Sequence, residues 1–176
     1  MNGRHIAAIC LDCGDTLIDE GTEVKTETEV SLRAELIPGA DDLMHELKRR
    51  GYPLALVADG PVPTFKNNLG PHGLYELFDA VSVSQAVGVL KPHPGIFHHA
   101  LAQLGMVEQD YGRVVMLGNN LARDVKGANE LGMISVWLDW GPRRHKIPRN
   151  VSEVPQYTIK TPLELLPILD RLEQRG

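Results

Sequence analysis

The stretch Ile6-Ala7-Ala8-Ile9-Cys10-Leu11-Asp12-Cys13-Gly14-Asp15-Thr16-Leu17 decides how this chain folds. Residues 6–11 are apolar without alternation, the pattern of a strand covered on both faces. The run ends on a carboxylate, Asp12, and a turn containing Gly14 follows at once. An acid at that place stands on an exposed shelf, where it can act as a nucleophile or a metal ligand.

Outward from this strand the same punctuation repeats. Apolar runs at 54–58, 80–83, 114–117 and 134–138 read as four more strands. Helical period fills the intervals. One helix opens after Pro38-Gly39 with Leu43, Met44 and Leu47 on one face; others cover 61–69, 94–104 and 121–131, and a last one covers 162–174. This alternation predicts an α/β fold, a doubly wound, Rossmann-like, five-stranded parallel sheet with helices on both faces. Residues 19–37 read as an acidic, solvated connector and 141–155 as a Pro-rich, basic loop. Ligands in such sheets bind beyond the C-terminal strand ends, where the winding reverses. That rule selects Asp12, Ala58-Asp59-Gly60, segment 84–91, Gly118-Asn119-Asn120 and Asp139.

The 176 residues carry 18 Lys plus Arg against 23 Asp plus Glu, a net charge of −5, and are 43% hydrophobic. That length predicts a single core domain over 1–176. A chain of this size buries about 70% of its extended surface. No apolar run approaches the roughly 18 residues of a membrane span, so no membrane partner is expected. The acidic balance disfavours nucleic acid as a partner. Two cysteines make no disulfide framework, which points to a reducing, cytoplasmic setting.

Cys10 and Cys13 form C-x-x-C, but no second pair exists, so core packing is favoured over zinc. Cys13, beside Asp12, reads as exposed and open to oxidation. Asp59 is expected to cap the helix after it. His98 and His99 are adjacent in a helix and do not face one another, so they make no paired metal site.

Taken in order, these elements resemble the haloacid dehalogenase superfamily. The residues that carry the resemblance are Asp12 and Thr16 after the first strand, Leu90-Lys91-Pro92 with Ile96-Phe97, and Asp124 with Gly127-Ala128 and Leu131-Gly132-Met133. It spans roughly 6–139. Most members are magnesium-dependent phosphatases with an Asp nucleophile. The resemblance implies that Asp12 is nucleophile and metal ligand, and that Lys91 and Thr16 hold the phosphoryl group. Gly14, through its backbone oxygen, together with Asn119 and Asp124 would complete a Mg2+ site.

Three polar roles depart from the family pattern. The second Asp of the first motif, the general acid and base of the phosphatases, is Gly14; the Gly that normally follows is Asp15. The hydroxyl residue after the second strand is Ala58, and the first acid of the fourth motif is Asn119. A carboxylate nucleophile needs no base near neutral pH. Leaving-group protonation and water activation, however, gain typically 10²–10⁴-fold from a positioned acid/base. Asp15 is the nearest substitute in sequence.

The reading is therefore a hydrolase with weakened acid/base machinery, acting through an aspartyl-phosphate on a phosphorylated small molecule or an exposed phosphate of a larger substrate. The alternatives are a catalytically retired binding or regulatory protein, or a non-phosphate hydrolase using Asp12. Superfamily dehalogenases bind beneath a large helical cap, and residues 18–37 are too few for one. An open site makes a homo-oligomeric partner a candidate lid. Within the chain the candidate grip on phosphate is Arg143 and Arg144, in a loop that also reads as a solvated basic segment.

Overall fold

The computed structural model describes residues 5–174. Six strands form one parallel sheet: β1 (Ala8–Leu11), β4 (Leu54–Ala58), β5 (Ala80–Val83), β6 (Val114–Gly118), β7 (Ile134–Leu138) and β8 (Tyr157–Ile159). The order across the sheet is β5-β4-β1-β6-β7-β8. Winding goes one way from β1 to β4 and β5, then crosses back over β1 to β6. The crevice expected at that reversal opens at the C-terminal ends of β1, β4 and β6.

Side chains of β1 alternate between two cores. Ile9 and Leu11 join Leu54, Leu56, Val115 and Leu117 under α1 (Ala40–Arg49) and α6 (Leu165–Glu173). Ala8 and Cys10 join Ala55, Val57 and Met116 under α4 (Pro94–Gln103). Small residues on that second face let Phe97 of α4 come close. A Cβ on Gly127, in the helix α5 (Lys126–Glu130), would lie 2.4 Å from the Phe97 ring. The remaining helices are α2 (Val62–Leu69) and the single turn α3 (Ser84–Val87).

The expected α/β architecture holds, with three corrections. The sheet has six strands, not five. β8 is three residues long at the sheet edge, with Thr158 turned outward just after Pro155, so no apolar run announces it. The connector 19–37 is not wholly unstructured. It holds a 3-10 turn (Glu20–Thr22) and a small antiparallel hairpin of β2 (Val24–Lys25) and β3 (Ser31–Arg33). Its tip is exposed, but Ser31 is buried and its Oγ donates to Asn68 Oδ1 of α2 at 2.8 Å. The segment 121–131 is split into a wide π-helical turn (Leu121–Val125) and α5. Among the described residues no helical domain is inserted between β1 and β4, and no helix is long and apolar enough to cross a membrane.

Candidate active site

Asp12 follows β1 directly, and its backbone N–H donates to Leu117 O of β6 at 3.0 Å. The carboxylate is thereby fixed at the middle of the crevice. Lys91 arrives from the segment between β5 and α4, and its ammonium is almost fully buried. It donates to Asp12 Oδ1 at 2.7 Å and to Val57 O at 2.9 Å, and lies 2.6 Å from Asp124 Oδ1. Two carboxylates thus share one ammonium. Burial works against the charge on Lys91, but Asp12, Asp124 and Asp59 outweigh it and hold the amine above its ordinary range. Burial and the charge of Asp12 push Asp124 up to about 7, against Lys91 and the Asn120 N–H.

The wide turn after β6 sets Asp124. Asn120 caps it, accepting from the Ala122 N–H at 3.1 Å, while the Asn120 N–H donates to Asp124 Oδ2 at 3.0 Å. Turns of this kind are frequent at functional sites because they re-aim one side chain. Gly118 makes room: a Cβ there would lie 2.3 Å from the Asp124 carboxyl carbon. Asn119 is buried, with its carbonyl held by Trp137 Nε1–H at 3.0 Å. Its side-chain nitrogen has no partner among the described residues.

The first-motif turn is tight, since Cys13 O accepts from the N–H groups of Thr16, Leu17 and Ile18. Thr16 Oγ1 reaches Asp12 Oδ2 only at 3.4 Å. Asp15 takes φ +51°, the left-handed region that a Gly would occupy freely. Its carboxylate is fully buried and turned to the loop that follows β7. Arg143 grips it through Nε at 2.7 Å and Nη2 at 2.6 Å, and the Glu20 N–H adds a third bond at 3.0 Å. The structure therefore does not bring Asp15 to Asp12's cleft, and Arg143 is engaged as well, with Asp19 as its second partner at 2.5 Å.

Arg144 does line the cleft, where its Nη2 is bonded to both oxygens of Glu20 at 2.7 and 2.8 Å. Burial raises the Glu20 carboxyl, with Asp15 and Asp12 adding to the rise and Arg144 opposing it. Glu20 was not legible as a site residue: it stands six positions beyond Gly14, inside what reads as connector. The one available signal was the vacancy that a glycine leaves at position 14.

Two further expectations fail. Cys13 is buried rather than exposed, and burial together with Asp12 pushes its thiol well above its ordinary value, so oxidation is disfavoured. Asp59 does not cap α2. It accepts the Lys91 N–H at 2.9 Å and Arg123 Nη1 at 3.0 Å, tying the Lys91 segment to the wide turn.

The cleft over these residues encloses about 280 Å³. Six carboxylates and four basic side chains line it. Every one of those cations already has a carboxylate partner: Lys91 as above, Arg123 on Asp59, Arg144 on Glu20, and Lys25 on Glu23 and Glu29. Among the described residues no three His, Cys, Asp or Glu side chains converge as a metal cluster.

Known proteins share this sequence pattern and fold. The chain is 32% identical over 135 residues to a glyceraldehyde 3-phosphate phosphatase of Methanopyrus kandleri, covering 77% of this chain and 57% of that protein. It spans about half the length of the curated relatives it matches. A HAD phosphatase from Thermococcus onnurineus superposes with a TM-score of 0.75 at 22% identity, over 93% of this chain and 98% of that one, which shows the shared fold. The HAD-hydrolase YfnB of Bacillus subtilis, solved with magnesium, gives a TM-score of 0.67 at 26% identity over 77% of this chain and 57% of its own. Residues 6–132 match the family described as haloacid dehalogenase-like hydrolase. This chain belongs to the haloacid dehalogenase-like hydrolases.

Proposed function

We propose that the chain is a magnesium-dependent phosphatase that transfers a phosphoryl group to Asp12 and then to water. The observation that carries this reading is the Asp12–Lys91–Asp124 cluster at the floor of an open cleft. A carboxylate held in place by an ammonium at 2.7 Å is a ready nucleophile, and the same ammonium can meet a transferring phosphoryl oxygen. Burying two carboxylates against one cation works against stability, and such frustrated clusters mark functional sites. That favours a working site over a retired one.

The donor set suits a hard divalent cation. Asp12 and Asp124 carboxylates, the Asn119 amide oxygen and the Gly14 carbonyl are all oxygen ligands of the kind Mg2+ takes. A cleft whose carboxylates outnumber its cations, all of them already paired, repels a phosphate dianion unless a divalent ion offsets the charge. When bound, Mg2+ would supply that neutralisation and orient the phosphoryl group. The amide of Asn119 gives one charge less than a carboxylate, which lowers the expected affinity for the metal. The relatives' names include phosphatases, which supports phosphate monoesters as the substrate class.

The test is a screen of phosphate monoesters with and without Mg2+, run beside Asp12→Asn. Hydrolysis that needs both Mg2+ and Asp12 is expected. Beryllium fluoride with Mg2+ should also raise Tm in the wild-type chain and not in Asp12→Asn. Hydrolysis indifferent to Asp12 would refute the reading, as would its absence across the panel.

A further inference from the structure

The geometry assigns Glu20 as the general acid and base of this site, its carboxylate filling the space that a side chain at position 14 would otherwise take. This assignment rests on the phosphatase reading above. A Cβ built on Gly14 falls 2.1 Å from Glu20 Oε1, 2.9 Å from its Cδ and 3.0 Å from its Cγ. The carboxyl group therefore lies directly over the Gly14 Cα, two residues along the same turn from Asp12. In this position glycine is what admits the carboxylate, and any side chain would expel it. A side chain at position 14 and the carboxylate of Glu20 thus exclude one another.

Three contacts hold Glu20 there. Its N–H donates to Asp15 Oδ1 at 3.0 Å, so the buried Asp15 anchors the start of the 3-10 turn. Arg144 grips both carboxylate oxygens from the other side. The side chain keeps 24% of its surface exposed, so water reaches it from the cleft. Glu20 differs from the other carboxylates nearby in place: Asp15 lies outside the cleft on Arg143, Asp59 is held by the Lys91 N–H and Arg123, Glu23 by Lys25 and Asn68, and only Glu20 stands against Gly14. Asp15 and Arg144 are thus positioning residues, and Glu20 is the group that faces the cleft beside Gly14.

The chemistry balances over two steps. An Asp12 oxygen attacks phosphorus, the bond from phosphorus to the ester oxygen breaks, and Glu20 in its acid form gives its proton to the departing alkoxide. Glu20, now a carboxylate, takes a proton from water as the water oxygen attacks the aspartyl-phosphate. The bond from phosphorus to Asp12 breaks, phosphate leaves, and Glu20 again carries its proton.

The test compares leaving groups and moves the acid. Phenyl phosphate needs a proton on its leaving oxygen far more than 4-nitrophenyl phosphate does. Both are assayed with Mg2+ in the wild-type chain, Glu20→Gln, Glu20→Ala, Glu20→Ala with Gly14→Asp, and Asp12→Asn. Glu20→Gln should slow phenyl phosphate about 10²–10⁴-fold, while the first turnover of 4-nitrophenyl phosphate falls less and phospho-enzyme accumulates. Glu20→Ala removes the obstructing atoms, and adding Gly14→Asp should restore tenfold or more of the lost rate. Tm monitors folding of each variant.

Equal losses on both esters would overturn the assignment, as would no loss or no recovery in a folded double variant. Turnover that depends on Asp12 but ignores Glu20 overturns the assignment alone. Turnover that ignores Asp12, or none at all, overturns the phosphatase reading and the assignment with it.

Discussion

The cleft floor and the loop anchor beside it are both made of carboxylates and cations, and they handle charge in opposite ways. On the floor, Lys91 serves Asp12 and Asp124 together, with both partners and the ammonium nearly dry. At the anchor, the buried Asp15 receives a two-pronged grip from Arg143 and a backbone N–H, while the guanidinium itself keeps about a third of its surface in water and stacks near Trp140. The floor carries excess negative charge that only a ligand relieves, whereas the buried carboxylate of the anchor is already satisfied. Charge left unbalanced in a buried place is a site waiting for its ligand; charge balanced there is architecture.

Asp12→Asn breaks the comparison most sharply. Turnover should fall by about 10³-fold or more, since the nucleophile is gone, while Tm in the absence of Mg2+ stays level or rises because the floor sheds an excess charge. A matching loss of stability and activity would mean that the floor is structural after all.

Arg143→Ala should do the reverse. It leaves the Asp15 carboxylate buried with one N–H, a loss typical of broken buried pairs, reduced here because the arginine is partly exposed. The expected cost is about 2 kcal/mol, a fall in Tm of about 4–8 °C for a chain this size, with Asp12-dependent hydrolysis retained. Adding Asp15→Gly should return most of that stability, because it removes the stranded charge and suits the positive φ. Thermal denaturation of the four-member cycle measures the coupling.

Asp124 sharpens the contrast through pH. Its carboxyl is raised to about 7 by burial and by Asp12, against about 3.9 for an unfolded Asp. The folded state then holds the proton more tightly, so the contribution to stability is full below about pH 4 and is lost as pH rises to about 7. Metal-free protein should lose Tm over that window, and Asp124→Asn should flatten the loss. Mg2+ binds the ionised carboxylates, so its stabilising increment should grow as pH rises. An increment independent of pH would remove Asp124 from the metal site.

How much of this was readable in the sequence depends on how far each contact reaches. Strands β1, β4, β5, β6 and β7 were readable because each is a short stretch that is wholly or nearly apolar, and Asp12, Lys91 and Asp124 because each follows a strand end or opens a helix. The hairpin at 24–33 was not, since its strands are two and three residues long and mostly exposed. β8 was hidden because it is three residues long at a sheet edge, with the polar Thr158 exposed at its middle. The pairing of Arg143 and Arg144 with Asp15 and Glu20 spans more than 120 positions, and no local pattern encodes it. A basic loop expected to grip phosphate is held instead on the protein's own acids. Glu20 is the same lesson from the other side: its place is dictated by an absent Cβ.

The smallest effect should come from the far end of the 141–155 loop. Glu153 accepts the Arg149 N–H at 3.0 Å and faces His145 Nε2 at 3.1 Å, so the loop closes on its own carboxylate. The Arg149 N–H, chiefly, and His145 hold that carboxyl below its ordinary value despite burial. A depressed folded value means that the stabilisation is present above about pH 4.3 and is lost as pH falls through the folded value. Glu153→Gln keeps the shape and removes the charge, so it should lower stability by about 1 kcal/mol at neutral pH, with the gap closing in acid. Amide exchange at Arg149 should quicken while exchange at Asp12 does not, because the sheet that holds Asp12 makes no use of Glu153. Faster exchange at both would mean that the loop and the cleft floor open as one unit, and that the boundary between architecture and site lies elsewhere.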